Sequence, residues 1–495
     1  MKTLAISAFA LAAATAASGQ TVVQTDNDWY VAGQDRLQAE IERMMNTGQA
    51  KNVIILISDG NGVGTNYASR VFAGQQDGGF GDEYVQHHET FPELALVKTY
   101  NVNAQTPDSA GTGTAMMSGV KTKAGIIGVT ADVDRGDCST LPGNTVTSMN
   151  QIADEMGKAT GIVSTARITH ATPASAYAKT VDRNYEASVP EGCDTQTDIA
   201  TQLIEAMEAG WIDVALGGGR RNFIGEDITG DEGGNGRRAA GENLIEDATG
   251  MGIAYAWNDE TFAELPKDGT PLLGLFEDSH MMYEADRTGE PSLAEMTATA
   301  IEALTASGGD NGFFLQVEAG RVDHANHGGN LARVVRDQKA FAEAVAMADE
   351  MTDDADTLII VTADHEHAIA FNGYCGRGSD ILGLCMGIDG AGIEHTGEPN
   401  TGSDEKPYTV AGYLNGAGSV LREDKDWTGT RSAMTEDEAT DIDYTQEALI
   451  PLSSETHSGE DVAVYAKGPW AHLLDGTIEQ NVIFHVMLHA MTAEE

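Results

Sequence analysis

The sequence predicts an α/β protein, a three-layer α/β/α sandwich around a central, mostly parallel sheet with an inserted subdomain. Three observations carry this. Continuous apolar runs such as Asn52-Val53-Ile54-Ile55-Leu56-Ile57 suit strands buried on both faces. These runs alternate along the chain with segments of helical period. Several of them stop at Asp, Glu or His, just past the strand end, where α/β sheets place their ligands.

Taken in order, Trp29–Met45 carries Leu37, Ile41 and Met44 at helical spacing, and Asn46-Thr47-Gly48 ends it. The first strand, Asn52–Ile57, runs into Ser58-Asp59-Gly60. Leu94–Tyr100 reads as a second strand and Thr160–Thr165 as a third, leading into Thr169-His170-Ala171-Thr172-Pro173. Ile199–Glu208 reads as a helix and Asp213–Leu216 as a strand. Residues 224–241, rich in Asp, Glu and Gly, read as a loop without the spacing of an EF-hand. Leu293–Leu304 and Leu331–Met351 read as helices flanking a strand at Phe313–Val317, and Thr357–Thr362 is a further buried strand. Between 372 and 452 the pattern loosens into Gly, Asp and Thr, which reads as the insertion. Asp461–Ala466 returns to strand character and Thr477–Met491 reads as a closing helix.

At 495 residues the chain can bury a large core, and its 41% hydrophobic content and mean hydropathy of −0.25 fit a folded globular protein. The charge is extreme: 77 acidic residues against 29 basic ones, a net charge of −48. Such a surplus suits a surface kept hydrated at high ionic strength, so adaptation to salt is expected. With no basic stripe, a nucleic-acid-binding surface is not expected. Lys2, the apolar run Leu4–Ala14 and small residues up to Gly19 predict a signal peptide over 1–19, hence a periplasmic or secreted protein. No stretch is long enough for a membrane span. Export lets the four cysteines pair. Cys375 with Cys385 closes a small loop and Cys138 with Cys193 a longer one, although the spacing admits three pairings.

The chemistry is expected at Thr106–Gly119. Ser109 follows Asp108 and opens a run of small residues suited to a helix start, where backbone N–H groups and the positive helix end face a bound anion. Metal-ligating residue types gather at the strand ends. Asp59 follows the first strand, Glu318, Asp323 and His327 follow Phe313–Val317, and Asp364 and His365 follow Thr357–Thr362. His457 precedes the last strand. Carboxylate with imidazole suits zinc, whereas carboxylate with hydroxyl suits magnesium.

These motifs, Asp-Gly, Pro-Asp-Ser-Ala-Gly-Thr, Ala-Thr-Pro-Ala followed by Arg183, Val-Glu-Ala-Gly-Arg-Val-Asp-His, Thr-Ala-Asp-His-Glu-His and Thr-His-Ser-Gly, together resemble the alkaline phosphatase family, in the family's order. The resemblance implies a phosphomonoesterase acting at alkaline pH on small phosphate monoesters and releasing inorganic phosphate, with two Zn2+ ions and one Mg2+. It implies Ser109 as nucleophile, Arg183 gripping the phosphoryl group and Asp108 steadying Arg183. One zinc would take Asp59, Asp364 and His365, the other Asp323, His327 and His457. Magnesium would take Asp59, Glu318 and Thr172. His170 and His324 resemble animal-type and some marine bacterial enzymes, and are expected around magnesium or phosphate through water. His367 is expected to support a zinc ligand. A weaker likeness makes Glu277 and Glu290 candidates for a peripheral Ca2+.

The family is usually dimeric, so a homodimer is implied, with the first helix embracing a partner and a crown-like insertion at 372–452 capping it. The catalytic domain would comprise 20–371 and 453–495. A phosphodiesterase or sulfatase of the same superfamily is the nearest rival. The sulfatase motif is absent, and Ser109, Arg183, Thr172 and Glu318 together favour monoesters over diesters. A non-catalytic exported metal-binding protein is the rival of another class.

Overall fold

The structure, a computed structural model, describes residues 25–392, 395–419 and 431–493. The expected signal peptide lies outside the described residues. The chain divides into two compact units, Met1–Met45 and Asn46–Glu495. In the first, helix α1 spans Asp28–Glu42, with the Asn27 side chain accepting from the N–H groups of Trp29 and Tyr30. It stops short of the expected Met45. None of its residues is buried, and Trp29, Leu37 and Ile41 are exposed.

The second unit is built on ten strands: β1 (Asn52–Ser58), β2 (Glu93–Lys98), β3 (Ala159–Arg167), β4 (Val214–Gly218), β5 (Ala254–Ala256), β6 (Leu272–Leu275), β7 (Phe313–Ala319), β8 (Thr357–Ala363), β9 (Val462–Lys467) and β10 (Gly476–Glu479). They form one sheet in the order β10-β2-β9-β8-β1-β7-β3-β4-β6-β5. All neighbours are parallel except β9, which runs antiparallel to both β2 and β8.

The apolar run of β1 shows why this is a three-layer fold. Val53, Ile55 and Ile57 enter one core cluster, with Met116, Leu203 and Met487 from helices on that side. Ile54 and Leu56 enter the other, with Val71, Met296 and Val335 from helices on the opposite side. Strand residues alternate faces, so a run that is apolar at every position needs helices on both. Each of these fully buried aliphatic side chains contributes about 1.5–3 kcal/mol of transfer free energy.

The same registry positions the chemistry. Ser58 sits opposite Ala319 of β7 and Ala363 of β8, and Ser164 of β3 opposite Glu318. Asp59, Glu318 and Asp364 are therefore carried at one level by three adjacent strands.

Several regions depart from the sequence expectation. Thr477–Met491 is not one helix: Gly476–Glu479 pairs in parallel with β2, and the helix begins only at Val482. The β-branched pair Thr477-Ile478 extends beside an open strand edge, a tertiary preference that helical periodicity overlooks. Leu94–Tyr100 is shifted to Glu93–Lys98. Helix α2, Val63–Gln76, was not anticipated and covers β1 from one side.

Both disulfides form, Cys138–Cys193 and Cys375–Cys385, one of the three admissible pairings. In the region of the expected insertion, Ile369–Phe371, Ala411–Gly416 and Ala448–Pro451 make a separate three-stranded sheet with Leu414, Leu449 and Ile450 exposed. Its first strand lies just ahead of residue 372.

Candidate active site and metal centre

Ser109 opens helix α3, Ser109–Ser118, with Asp108 as its N-cap. Asp108 Oδ1 accepts from the N–H of Gly111 at 3.1 Å and from Asn101 Nδ2 at 3.0 Å. That cap fixes the first turn and leaves the Ser109 hydroxyl aimed at the strand ends. Ser109 Oγ lies 3.4 Å from Asp59 Oδ1 and 3.3 Å from His365 Nε2, in a pocket where all three side chains are buried.

His365 Nε2 is also 3.3 Å from Asp59 Oδ1 and 3.4 Å from Asp364 Oδ2. Asp364 is held by the N–H of Gly60 at 3.1 Å, its own neighbour's N–H at 2.9 Å and the Thr112 hydroxyl at 3.1 Å. Asp59 Oδ2 is buried with no partner. Burial, followed by the charges of Asp364, Asp323 and Glu318, pushes the Asp59 carboxyl well above its usual range.

A second cluster centres on Asp323 Oδ1. The Nε2 atoms of His367, His457 and His327 lie 2.8, 3.2 and 3.4 Å from it. His457 donates Nδ1–H to the carbonyl of Pro107 at 2.8 Å, and His327 donates Nδ1–H to that of Glu455 at 2.7 Å. A backbone carbonyl can only accept, so these bonds put the proton on Nδ1 and the lone pair on Nε2. The two Nε2 atoms face each other at 3.1 Å. Two lone pairs and a carboxylate turned toward one point call for a cation.

His367 differs. It bridges Asp323 and, through Nδ1 at 2.5 Å, the buried Glu455 carboxylate. Burial opposes its charge, but the bonds to Asp323 and Glu455 prevail and hold its pKa up at about 10. A ring protonated on both nitrogens has no lone pair to give a metal, and here it orients Asp323. Asp323 itself sits well below its usual range, because His327, His367 and His457 outweigh the desolvation that would raise it.

Glu318, Thr172 and Asp59 supply the third group. Glu318 Oε2 accepts from the Ser164 hydroxyl, whereas Glu318 Oε1, Thr172 Oγ1 and Asp59 Oδ2 are all buried without a partner. Burial raises the Glu318 carboxyl to about 7, despite the hydrogen bond from Ser164. Orphaned buried oxygens are rare in folded proteins. Three of them, all hard oxygen donors, fit magnesium, and the mixed carboxylate–imidazole sets fit zinc.

Arg183 lies beside this centre. Its Nη1 donates to Asp108 Oδ2 at 3.1 Å and its Nη2 to His170 Nε2 at 3.1 Å. His170 packs near His324, with ring centroids 5.4 Å apart. Every residue singled out for the catalytic centre therefore falls into contiguous clusters. Four contributors escaped the sequence reading: Glu455, which holds His367; Ser164, which holds Glu318; Thr112, which holds Asp364; and His280, whose ring lies 3.9 Å from that of His324. Glu455 stands two residues before His457, and Thr112 closes the Pro-Asp-Ser-Ala-Gly-Thr motif, so both could have been found from their motifs, but nothing in the pattern marks Ser164 or His280.

Glu277 and Glu290 sit away from these clusters, and neither belongs to the groups of closely spaced ligand atoms among the described residues. They do share an electrostatic neighbourhood. Glu290 Oε1 accepts from the N–H of Met282 at 2.8 Å, and Oε2 is buried without a partner. Burial, then Glu277 and Glu232, raises the Glu290 carboxyl to about 8.

The alkaline phosphatase family profile matches residues 50–493. An alkaline phosphatase of Gadus morhua is 40% identical over 483 residues, covering 94% of this chain and 96% of that protein. The human tissue-nonspecific isozyme is 38% identical over 504 residues, covering 97% and 92% respectively. Among solved structures, the Thermus thermophilus alkaline phosphatase superposes with a TM-score of 0.64 at 23% identity, covering 91% of this chain and 93% of that one. The enzyme of the Antarctic bacterium TAB5 gives 0.61 at 22% identity, covering 91% and 100%. With the family profile spanning residues 50–493 and relatives about 40% identical over almost the whole chain, the chain belongs to the alkaline phosphatase family.

Proposed function

We propose that the protein hydrolyses small phosphate monoesters at alkaline pH through a phosphoserine at Ser109, with two zinc ions and one magnesium ion. The observation that carries this is the approach of Ser109 Oγ to both Asp59 and His365, at 3.4 and 3.3 Å. Asp59, Asp364 and His365 would hold one zinc, and Asp323, His327 and His457 the other. Asp59, Glu318 and Thr172 would hold magnesium, an ion bound in a variant of the TAB5 enzyme. When bound, these ions supply Lewis-acid stabilisation of the oxyanions and lower the pKa of hydroxyl and water.

The chain's own residues do the rest. The Arg183 fork takes two phosphoryl oxygens, aimed by Asp108 and His170. Ser109 Oγ gives its proton to solvent as it attacks phosphorus, the bond from phosphorus to the leaving oxygen breaks, and the leaving alkoxide takes a proton from solvent and departs as the alcohol. A second water then attacks phosphorus, the Ser109 Oγ–P bond breaks, Ser109 regains its proton and phosphate leaves. The N-terminal turn of α3 adds its partial positive charge to the same phosphoryl group. Asp59 and Glu318 must ionise to hold cations, and burial raises both carboxyls, so loading favours higher pH.

Arg183 and the Glu318–Thr172 oxygens support monoesters over diesters. Comparison of a nitrophenyl phosphate monoester with the corresponding diester tests this, and faster diester turnover would reverse it. A signal peptide with periplasmic or secreted location, salt adaptation, a homodimer using α1 and the 372–452 crown-like insertion, and a Ca2+ at Glu277 and Glu290 complete the reading. Two disulfides support export, because such bonds persist in oxidising compartments. No helix of the described residues is long and apolar enough to cross a membrane.

A further inference from the structure

We infer that His280 is a positioning residue for phosphate binding, holding His170 and His324 in place so that His170 can aim Arg183; this rests on the role proposed above for Arg183. His280 lies in the loop after β6, away from every motif, and its anchorage is unusually complete. The Arg167 guanidinium Nη1 donates to His280 Nε2 at 2.5 Å, and the backbone nitrogen of Arg167 lies 3.2 Å from Nδ1. Arg167 is fixed in turn by a two-point pairing with Glu186, at 2.8 and 2.7 Å. The Glu186–Arg167–His280 chain thus ties the ring to the end of β3.

From that anchor His280 packs its ring against two others. The centroids lie 3.9 Å from His324 and 5.2 Å from His170. A guanidinium meets each of these neighbours as well: Arg183 Nη2 at His170 Nε2, 3.1 Å, and Arg321 Nη1 at His324 Nδ1, 3.2 Å. A guanidinium can only donate, so the nitrogen it meets must carry a lone pair and the rings stand neutral.

This arrangement disfavours a metal at the three histidines, although their ring nitrogens lie within 4.8 Å of one another. Three guanidinium groups already occupy lone pairs there, and they repel a divalent cation. What the cluster does instead is mechanical. Arg183 has two acceptors, Asp108 and His170. Asp108 is fixed by the helix cap, whereas His170 Nδ1 has no hydrogen-bond partner. Packing against His280 and His324 is what sets the angle of that ring. Without the His280 ring, a space opens behind both neighbours and the second acceptor of Arg183 can turn away.

The test uses the metal-loaded full chain. For His280→Ala, KM for nitrophenyl phosphate and the dissociation constant of inorganic phosphate should each rise about fivefold or more, with kcat changed by less. His280→Gln, whose amide oxygen can accept from the Arg167 guanidinium, should recover much of the phosphate affinity. Phosphate affinity is read by calorimetry as well as by inhibition, so it does not depend on turnover. If phosphate affinity and KM of His280→Ala stay within twofold of wild type, the inference is overturned. A fall in melting temperature or kcat alone is then a plain stability effect and overturns it equally. A wild-type protein that binds phosphate but does not turn over the monoester refutes the hydrolysis reading instead, and the affinity comparison still decides the role of His280.

Discussion

Arg183 and Asp108 are joined at 3.1 Å, and the carboxylate oxygen that Arg183 uses also accepts the backbone N–H of Gly125 at 2.9 Å. The other oxygen caps helix α3. One carboxylate thus orients Arg183, proposed to grip phosphate, and fixes the helix that carries Ser109, the proposed nucleophile. The two roles can be separated by substitution. Asp108→Asn keeps an oxygen for the cap but weakens the ion pair, so phosphate inhibition should weaken severalfold with a small change in melting temperature. Asp108→Ala removes the cap as well and should destabilise by about 0.5–2 kcal/mol. Equal phosphate inhibition in Asp108→Asn and wild type would refute the orienting role.

Ser109→Ala should abolish phosphoenzyme formation and lower kcat by at least about a thousandfold, since the alternative is direct attack by water. The hydroxyl makes long contacts only, at 3.3–3.4 Å, so the fold should survive. Acid quenching after mixing with labelled phosphate reads the covalent adduct. A labelled Ser109→Ala protein would place the nucleophile elsewhere.

Removal of metal should expose the repulsion among the buried carboxylates. Burial raises the Asp59 carboxyl above its unfolded value and raises Glu318 to about 7. An acid with a raised folded pKa is protonated in the folded state while already ionised in the unfolded chain. Its contribution is therefore fully present below the unfolded pKa and is lost as pH rises through the folded one. The chelated protein should lose melting temperature between about pH 4.5 and 7, a range set by the ordinary and shifted carboxyl values. The metal-loaded protein should gain relative to it over the same window, because ligation requires ionised carboxylates. A chelated form that grows more stable from pH 5 to 8 would contradict this account.

Glu290 gives a second pH signature, remote from the catalytic centre. With a folded pKa of about 8, its contribution falls as pH rises from the ordinary glutamate value toward 8. Glu290→Gln should therefore be more stable than wild type at pH 8 in calcium-free buffer. Millimolar calcium should raise the melting temperature of wild type there and leave the variant unmoved. An equal calcium response in both proteins would remove Glu290 from any calcium site.

Much of this site was readable from residues because its ligands follow strand ends, and buried parallel strands announce themselves as unbroken apolar runs. Asp59, Glu318 and Asp364 are found that way, and their convergence follows from the adjacency of β1, β7 and β8. The closing segment was harder. Gly476–Glu479 becomes a strand only because an edge of β2 is available, and that edge is 381 residues away in sequence at the Lys98–Glu479 contact. His280 was illegible for the same reason. Its meaning lies in Arg167 and His324, 113 residues before and 44 after it, and an isolated Ser-His-Met carries no period or spacing that could announce them.

The global charge supplies the last prediction. A net charge of −48 repels itself in dilute buffer, and screening shortens the reach of that repulsion from about 30 Å at 0.01 M salt to about 3 Å at 1 M. The paired charges, such as Arg238 with Asp198 at 2.7 Å and less than a tenth exposed on the arginine side, are too close to be screened comparably. Added salt therefore weakens the long-range repulsion more than the local attractions, and the melting temperature should climb as potassium chloride rises from 0.05 to about 2 M. The substrate is an anion too, so KM should fall over the lower part of that range as the repelling field is screened, until salt competes with phosphate at Arg183. A melting temperature that rises as salt is withdrawn would show that the acidic surface is not what limits stability.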